Sequence, residues 1–136
     1  MLVIGAGFTG SEVASVCRSR EIAVTVVEMG PTPLAAALGP LVGAFAADLQ
    51  RRAGVDLVCG AAVTVLLDDG AGRVRGARTA DGREIEADLV VVCLGAVRNT
   101  EWLDGAGLSA GPAGVACDDG GRALADDGGP TEDVFV

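Results

Sequence analysis

The first ten residues, Met1-Leu2-Val3-Ile4-Gly5-Ala6-Gly7-Phe8-Thr9-Gly10, constrain this chain more than any other stretch. A short apolar run, Leu2-Val3-Ile4, meets three glycines spaced G-x-G-x-x-G. The apolar run reads as a buried parallel strand. Residues 11–20, with Val13, Val16 and Cys17 at helical spacing, read as a helix whose apolar face meets the sheet. The glycines fall at the turn between them, and each answers a different demand. Gly5 permits a tight turn. Gly7 has no Cβ, so a pyrophosphate can approach the backbone. Gly10 lets the helix pack closely on the strand. The helix N-terminus offers unpaired N–H groups and about half a positive charge to such an anion. The alternative is a glycine turn that holds no ligand.

A second apolar run, Ala23-Val24-Thr25-Val26-Val27, ends in Glu28. An acid at this point of a dinucleotide fold accepts hydrogen bonds from the adenosine ribose hydroxyls. The loop after it, Met29-Gly30-Pro31-Thr32-Pro33, carries no cation, and none follows until Arg51. A ribose 2′-phosphate beside Glu28 would therefore meet uncompensated repulsion. Two unit charges about 4 Å apart repel by about 4 kcal/mol at an effective dielectric near 20. The sign favours NAD over NADP.

Residues 34–52 predict a second helix, with Pro40 in its first turn and Leu41, Phe45 and Leu49 as a buried stripe. Residues 55–59 predict a third parallel strand. The pattern then changes. Val63, Val65 and Leu67 alternate with other residues, Asp69-Gly70 and Asp81-Gly82 mark turns, and residues 73–79 and 83–86 complete an antiparallel meander of three strands. Residues 89–94, Leu-Val-Val-Val-Cys-Leu, are apolar throughout and predict a central strand buried on both faces. Gly95-Ala96 follow at its carboxyl end, where ligands bind in open α/β sheets, or where a glycine simply ends a strand. Residues 101–106 suggest a short helix, with Trp102 and Leu103 capping a sheet edge. A short strand is expected at 115–118, then a mobile acidic loop over 118–130. Glu12 either stabilises the helix dipole or faces the cofactor.

Composition narrows the classes. Half of the residues are hydrophobic but only 3% are aromatic, so the core is built from Val, Leu, Ile and Ala, as suits a sheet covered by helices on both faces. The net charge of −9 argues against nucleic-acid binding through phosphate neutralisation. No run approaches the length of a membrane span, and no secretory signal is visible, so a cytoplasmic location is expected. The chain has no His and no Lys, which excludes a histidine base or histidine metal site. Cys17, Cys59, Cys93 and Cys117 have no redox-pair or zinc spacing and read as reduced thiols. No metal site and no catalytic residue are assigned.

Several motifs together resemble one family. Residues 3–14, V-I-G-A-G-F-T-G-S-E-V-A, resemble the NAD-binding motif of the FAD-dependent pyridine nucleotide-disulfide oxidoreductases. Among these the chain is most similar to the NADH:ferredoxin reductases of bacterial oxygenases. Val26-Val27-Glu28 matches the ribose-binding strand end, and residues 89–103, L-V-V-V-C-L-G-A-V-R-N-T-E-W-L, match a later strand and loop, with Arg98 where the family usually has Pro. The meander between is a family feature as well.

The resemblance implies a Rossmann-like α/β fold with a parallel sheet of about four strands and an inserted three-stranded meander. It implies Gly5, Ala6, Gly7, Phe8, Thr9 and Gly10 around the pyrophosphate and Glu28 on the ribose. Glu12 and Gly95-Ala96 are implied near the nicotinamide. Residues 1–117 would be the NAD-binding domain, and residues 118–136 an acidic Gly-rich tail leading toward an FAD-binding segment. The family's flanking FAD-binding segments and C-terminal domain are expected as partners, with a small iron–sulfur protein as electron acceptor. The chain then reads as an NAD(H)-binding domain excised from a flavoenzyme, inactive and flavin-free by itself. The alternatives are an FAD-binding dinucleotide domain and a non-enzymatic NAD-sensing module. A small dehydrogenase would need a Tyr, Lys or His base, and the chain has none.

Overall fold

A computed structural model describes residues 1–136 and divides them into two compact units, Met1–Gly95 and Ala96–Val136. The first unit runs β1 (Leu2–Ile4), α1 (Phe8–Ser19), β2 (Thr25–Glu28), α2 (Ala35–Arg52), β3 (Asp56–Cys59), β4 (Val63–Asp68), β5 (Val74–Thr79), β6 (Glu84–Glu86) and β7 (Val90–Val92). Four strands pair in parallel in the order β3-β2-β1-β7. β4, β5 and β6 form the antiparallel meander.

The side-chain alternation of β1 explains the layering. Val3 points to one face of the sheet, where it packs with Val26, Ala6 and Ala14 of α1. Leu2 and Ile4 point to the other face, where Val27, Ala77 of β5 and Ala87 meet them. Leu2, Val3 and Val26 are wholly buried, and each contributes roughly 1.5–3 kcal/mol of transfer free energy. The second face is thus covered by the meander and not by a helix. That corrects the expectation of helices on both faces. A β-ribbon can replace a crossover helix here because Ala77 and Ile85 present the apolar surface that the sheet needs.

Two further expectations change. β7 is an edge strand, and Leu89, Val92 and Leu94 are exposed, so it is not central and buried on both faces. The second helix starts as expected but breaks at Gly39, which has φ +81° and ψ 170°, and Pro40 opens the longer segment. The stripe Leu41, Phe45 and Leu49 faces outward, with Leu41 85% and Phe45 64% exposed. The buried face carries Gly43 and Ala47. A Cβ on Gly43 would stand 2.3 Å from Thr32 Oγ1 and 2.8 Å from the Pro33 carbonyl, so α2 lies directly on that loop.

The second unit holds a 3-10 turn, Glu101–Leu103, and two small antiparallel pairs. These are β8 (Ala110–Gly111) with β9 (Gly114–Val115), and β10 (Arg122–Leu124) with β11 (Pro130–Phe135). The segment expected as an acidic loop therefore contains a strand. Its aspartates shape turns: Asp118 Oδ1 accepts from the N–H groups of Gly120 and Arg122 at 2.9 Å each. Leu103 and Ala123 are buried in this unit. Trp102 is 75% exposed and donates its indole N–H to the Asn99 carbonyl at 3.1 Å, so it caps nothing by packing.

Candidate functional site

The chain passes from β1 to β2 on one side of the sheet and returns to β7 on the other. The two directions part at the carboxyl ends of β1 and β7, the place where open α/β sheets form a binding crevice. A cleft of about 500 Å³ lies there. Gly5, Gly7, Glu28 and Gly95 line it, together with Ile4, Val27, Met29, Ala61, Ala62, Val63, Cys93 and Leu94. Four residues singled out in the sequence thus share one cavity.

The glycine loop is tightly determined. Gly5 has φ +97°, and a Cβ there would stand 2.3 Å from the Cys93 carbonyl oxygen. A Cβ on Gly10 would stand 2.0 Å from the Gly5 carbonyl oxygen. Gly7 is the opposite case: it has ordinary φ −70°, and a Cβ there would meet nothing within 4 Å. A side chain at Gly7 would thus project into open space beside the cleft. α1 begins at Phe8, three residues earlier than the sequence suggests, and no side chain caps its N-terminus. The first-turn N–H groups of Phe8, Thr9 and Gly10 therefore keep the capacity to bind an anion. Phe8 and Thr9 are exposed beside the cleft wall formed by Gly7, while Gly10 is buried against the strand.

Glu28 is held at the rim. Its Oε2 accepts from the Ala6 N–H at 2.7 Å and its Oε1 from the Gly30 N–H at 2.6 Å. Each carboxylate oxygen still has a second lone pair for a hydroxyl donor. The Ala6 carbonyl accepts in turn from the Leu34 N–H at 3.0 Å. Leu34 sits in the left-handed region at φ +58°, which costs about 1–3 kcal/mol for a non-glycine residue. That strained residue buttresses the glycine loop. No Arg lines the cleft. Cys59, the register partner of Glu28, has its thiol pushed up by burial, pulled back by Arg51 and raised further by the Glu28 charge, so it stays protonated at neutral pH.

Six expected residues, Ala6, Phe8, Thr9, Gly10, Glu12 and Ala96, are not among those that line the cleft. Glu12 is exposed in the second turn of α1 and is not among the cleft-lining residues; the helix starts too early for Glu12 to serve its first-turn dipole. Ala96 opens the second unit. Sequence reasoning missed Ala61, Ala62 and Val63. Small residues directly after β3 were the available signal, since they leave room beside Glu28. A larger cleft of about 780 Å³ lies along the meander, between Asp69, Arg73, Arg75, Glu86 and Asp88. Its walls mix both charge signs and include no helix N-terminus, so the smaller cleft carries the functional argument.

A parallel sheet with a glycine-lined switch point and an acid at the second strand's end defines a Rossmann-like α/β protein. The whole chain, residues 1–136, matches the pyridine nucleotide-disulphide oxidoreductase family, and it belongs to that family. It is similar to rhodocoxin reductase of Rhodococcus erythropolis, with 37% identity over 79% of this chain and 25% of that protein. The ferredoxin–NAD(+) reductase component of the biphenyl dioxygenase system of Paraburkholderia xenovorans is 34% identical over 80% of this chain and 26% of its own length. Among solved structures, the ferredoxin reductase for the CYP199A2 system of Rhodopseudomonas palustris superposes with a TM-score of 0.79 at 31% identity. The superposition covers 93% of this chain and 30% of that one. The chain thus spans about a quarter of the length of the curated relatives it matches.

Proposed function

We propose that this chain binds NAD(H) in the cleft between β1 and β7 and serves as the nicotinamide-nucleotide region of an FAD-dependent reductase. The observation that carries this reading is the Glu28 carboxylate. Two backbone N–H groups orient it at the rim, and each oxygen keeps a lone pair for a ribose hydroxyl. The residues present fit the group. Gly7 leaves open space for the pyrophosphate, and the uncapped N-terminus of α1 supplies donors and a favourable dipole. The apolar surfaces of Met29, Ala61 and Val63 suit an adenine. A 2′-phosphate would find Glu28 and no cation among the lining residues, which supports NAD over NADP.

Bound in the cleft, NADH would supply a hydride to a flavin held by other segments of the reductase. The residues of this chain bind and orient the nucleotide; none acts as an acid or base. The relatives' names supply the remainder of the reading: the biphenyl dioxygenase component is a ferredoxin–NAD(+) reductase. By extension the parent protein holds FAD in flanking segments and passes electrons to a small iron–sulfur protein. Four unpaired cysteines, and no helix long and apolar enough to cross a membrane, accord with a cytoplasmic site of action.

Calorimetric titration with NADH, NADPH and FAD tests the assignment. NADH is expected to bind more tightly than NADPH. Glu28→Gln should weaken NADH by roughly tenfold or more, as loss of a charged hydrogen-bond acceptor does. It should also narrow the gap to NADPH. Tighter binding of NADPH, or stoichiometric binding of FAD in place of NADH, would overturn the reading.

A further inference from the structure

The first unit contains a hydrogen-bonded path from the last turn of α2 to the rim of the cleft, through residues that do not line the cleft. Gln50 Nε2 donates to Ser11 Oγ at 3.0 Å. The single proton of Ser11 then points onward, to the Ala6 carbonyl at 3.4 Å. The N–H of Ala6 donates to Glu28 Oε2 at 2.7 Å. The peptide groups on both sides of Ala6 are therefore tied, one to Glu28, the other to Ser11 and Leu34. These two peptide planes set the path of the chain between Gly5 and Gly7.

Gln50 is an expensive choice for mere filling. Its Oε1 is buried and meets no donor, so the amide is oriented by Ser11 alone. A methionine would fill the same space without burying an unpaired carbonyl. We infer that Gln50 is a positioning residue for nucleotide binding: through Ser11 it holds the Ala6 peptide, and hence Glu28 and the glycine loop, in the binding geometry before the ligand arrives. The role rests on the reading of the cleft as a dinucleotide site, but the relay itself is a property of the ligand-free chain.

The test uses Gln50→Met, Ser11→Ala and the double variant in the 136-residue chain. Amide hydrogen exchange of the ligand-free protein, followed residue by residue, reads the relay directly. Ala6 is expected to exchange about three- to tenfold faster in either single variant, the loss of one net hydrogen bond, while amides in the middle of α1 keep their rates. NADH affinity should fall by a similar factor in either variant, and the double variant should be no worse than the weaker single one. Unchanged exchange at Ala6, or losses that multiply in the double variant, would refute the relay. A parent chain that fails to bind NADH would refute the functional assignment instead, and Ala6 exchange would still decide the relay. Should Gln50→Met not fold, Ser11→Ala reports on the same path.

Discussion

Gly7 and Gly10 share one motif, yet the structure gives them different surroundings. A Cβ on Gly10 collides with the Gly5 carbonyl at 2.0 Å, so Gly10→Ala forces α1 off the strand. Overpacking of this kind is expected to cost about 3 kcal/mol, read as a lower midpoint in urea unfolding. Gly7→Ala places its methyl in open space at an ordinary φ, so stability should stay within about 1 kcal/mol of the parent. The same methyl enters the volume above the loop, and NADH affinity should fall by at least about tenfold, equivalent to roughly 1.4 kcal/mol. Calorimetry on Gly7→Ala beside unfolding of Gly10→Ala checks the division. The spacing alone announces three glycines; only the distances show that Gly10 is packed against Gly5 while Gly7 faces open space. Glu28 is similar. Its place at a strand end was legible, but its bonds to Ala6 and Gly30 span a turn that no local pattern describes.

Among the elements, α2 is the most instructive. Large apolar residues at every fourth position announce a helix with one apolar stripe, and the helix forms. The buried face, however, is Gly43 and Ala47, and at Gly43 the chain at Thr32 and Pro33 lies too close for any side chain. Phe45→Ser is therefore expected to change the stability of this chain by no more than about 0.5 kcal/mol, whereas Ala47→Leu should cost about 1–3 kcal/mol, both measured by urea unfolding. The meander responds to pH. Asp81 has its carboxyl held below the usual carboxylate range by the Thr79 hydroxyl and then by the Arg83 N–H. Glu84 is held down by its hydrogen bond from Arg78, with Arg75 also near. Both groups are depressed on folding, so their stabilisation is complete above the unfolded carboxylate range, near pH 4, and is lost as pH falls through the lower folded values. Thermal unfolding midpoints should fall on acidification below about pH 4, and Asp81→Asn should flatten that dependence. A midpoint that rises on acidification would contradict the assignment. The turn that holds Asp81, Asp81-Gly82, was readable in advance because Asp–Gly chemistry acts within a few residues.

Over the whole molecule, the chain divides into the units Met1–Gly95 and Ala96–Val136. The cleft belongs entirely to Met1–Gly95. The purified chain is expected to bind NADH without carrying stoichiometric flavin and without turning over, since it spans about a quarter of relatives named as reductases. A visible flavin spectrum after purification, or NADH oxidation with an added iron–sulfur acceptor, would contradict this.

By itself, the sequence determined the strand–glycine loop–helix, the acid at the end of the second strand, the inserted meander and the family. Each depends on local backbone freedom, on side-chain period or on residues a few positions apart. The tertiary structure alone decided that the meander covers the second face of the sheet, that β7 lies at its edge and that α2 turns its large residues outward. It also decided that Gln50 reaches the glycine loop through Ser11. These depend on contacts between residues distant in the chain, where packing distance chooses between faces that share the same periodicity.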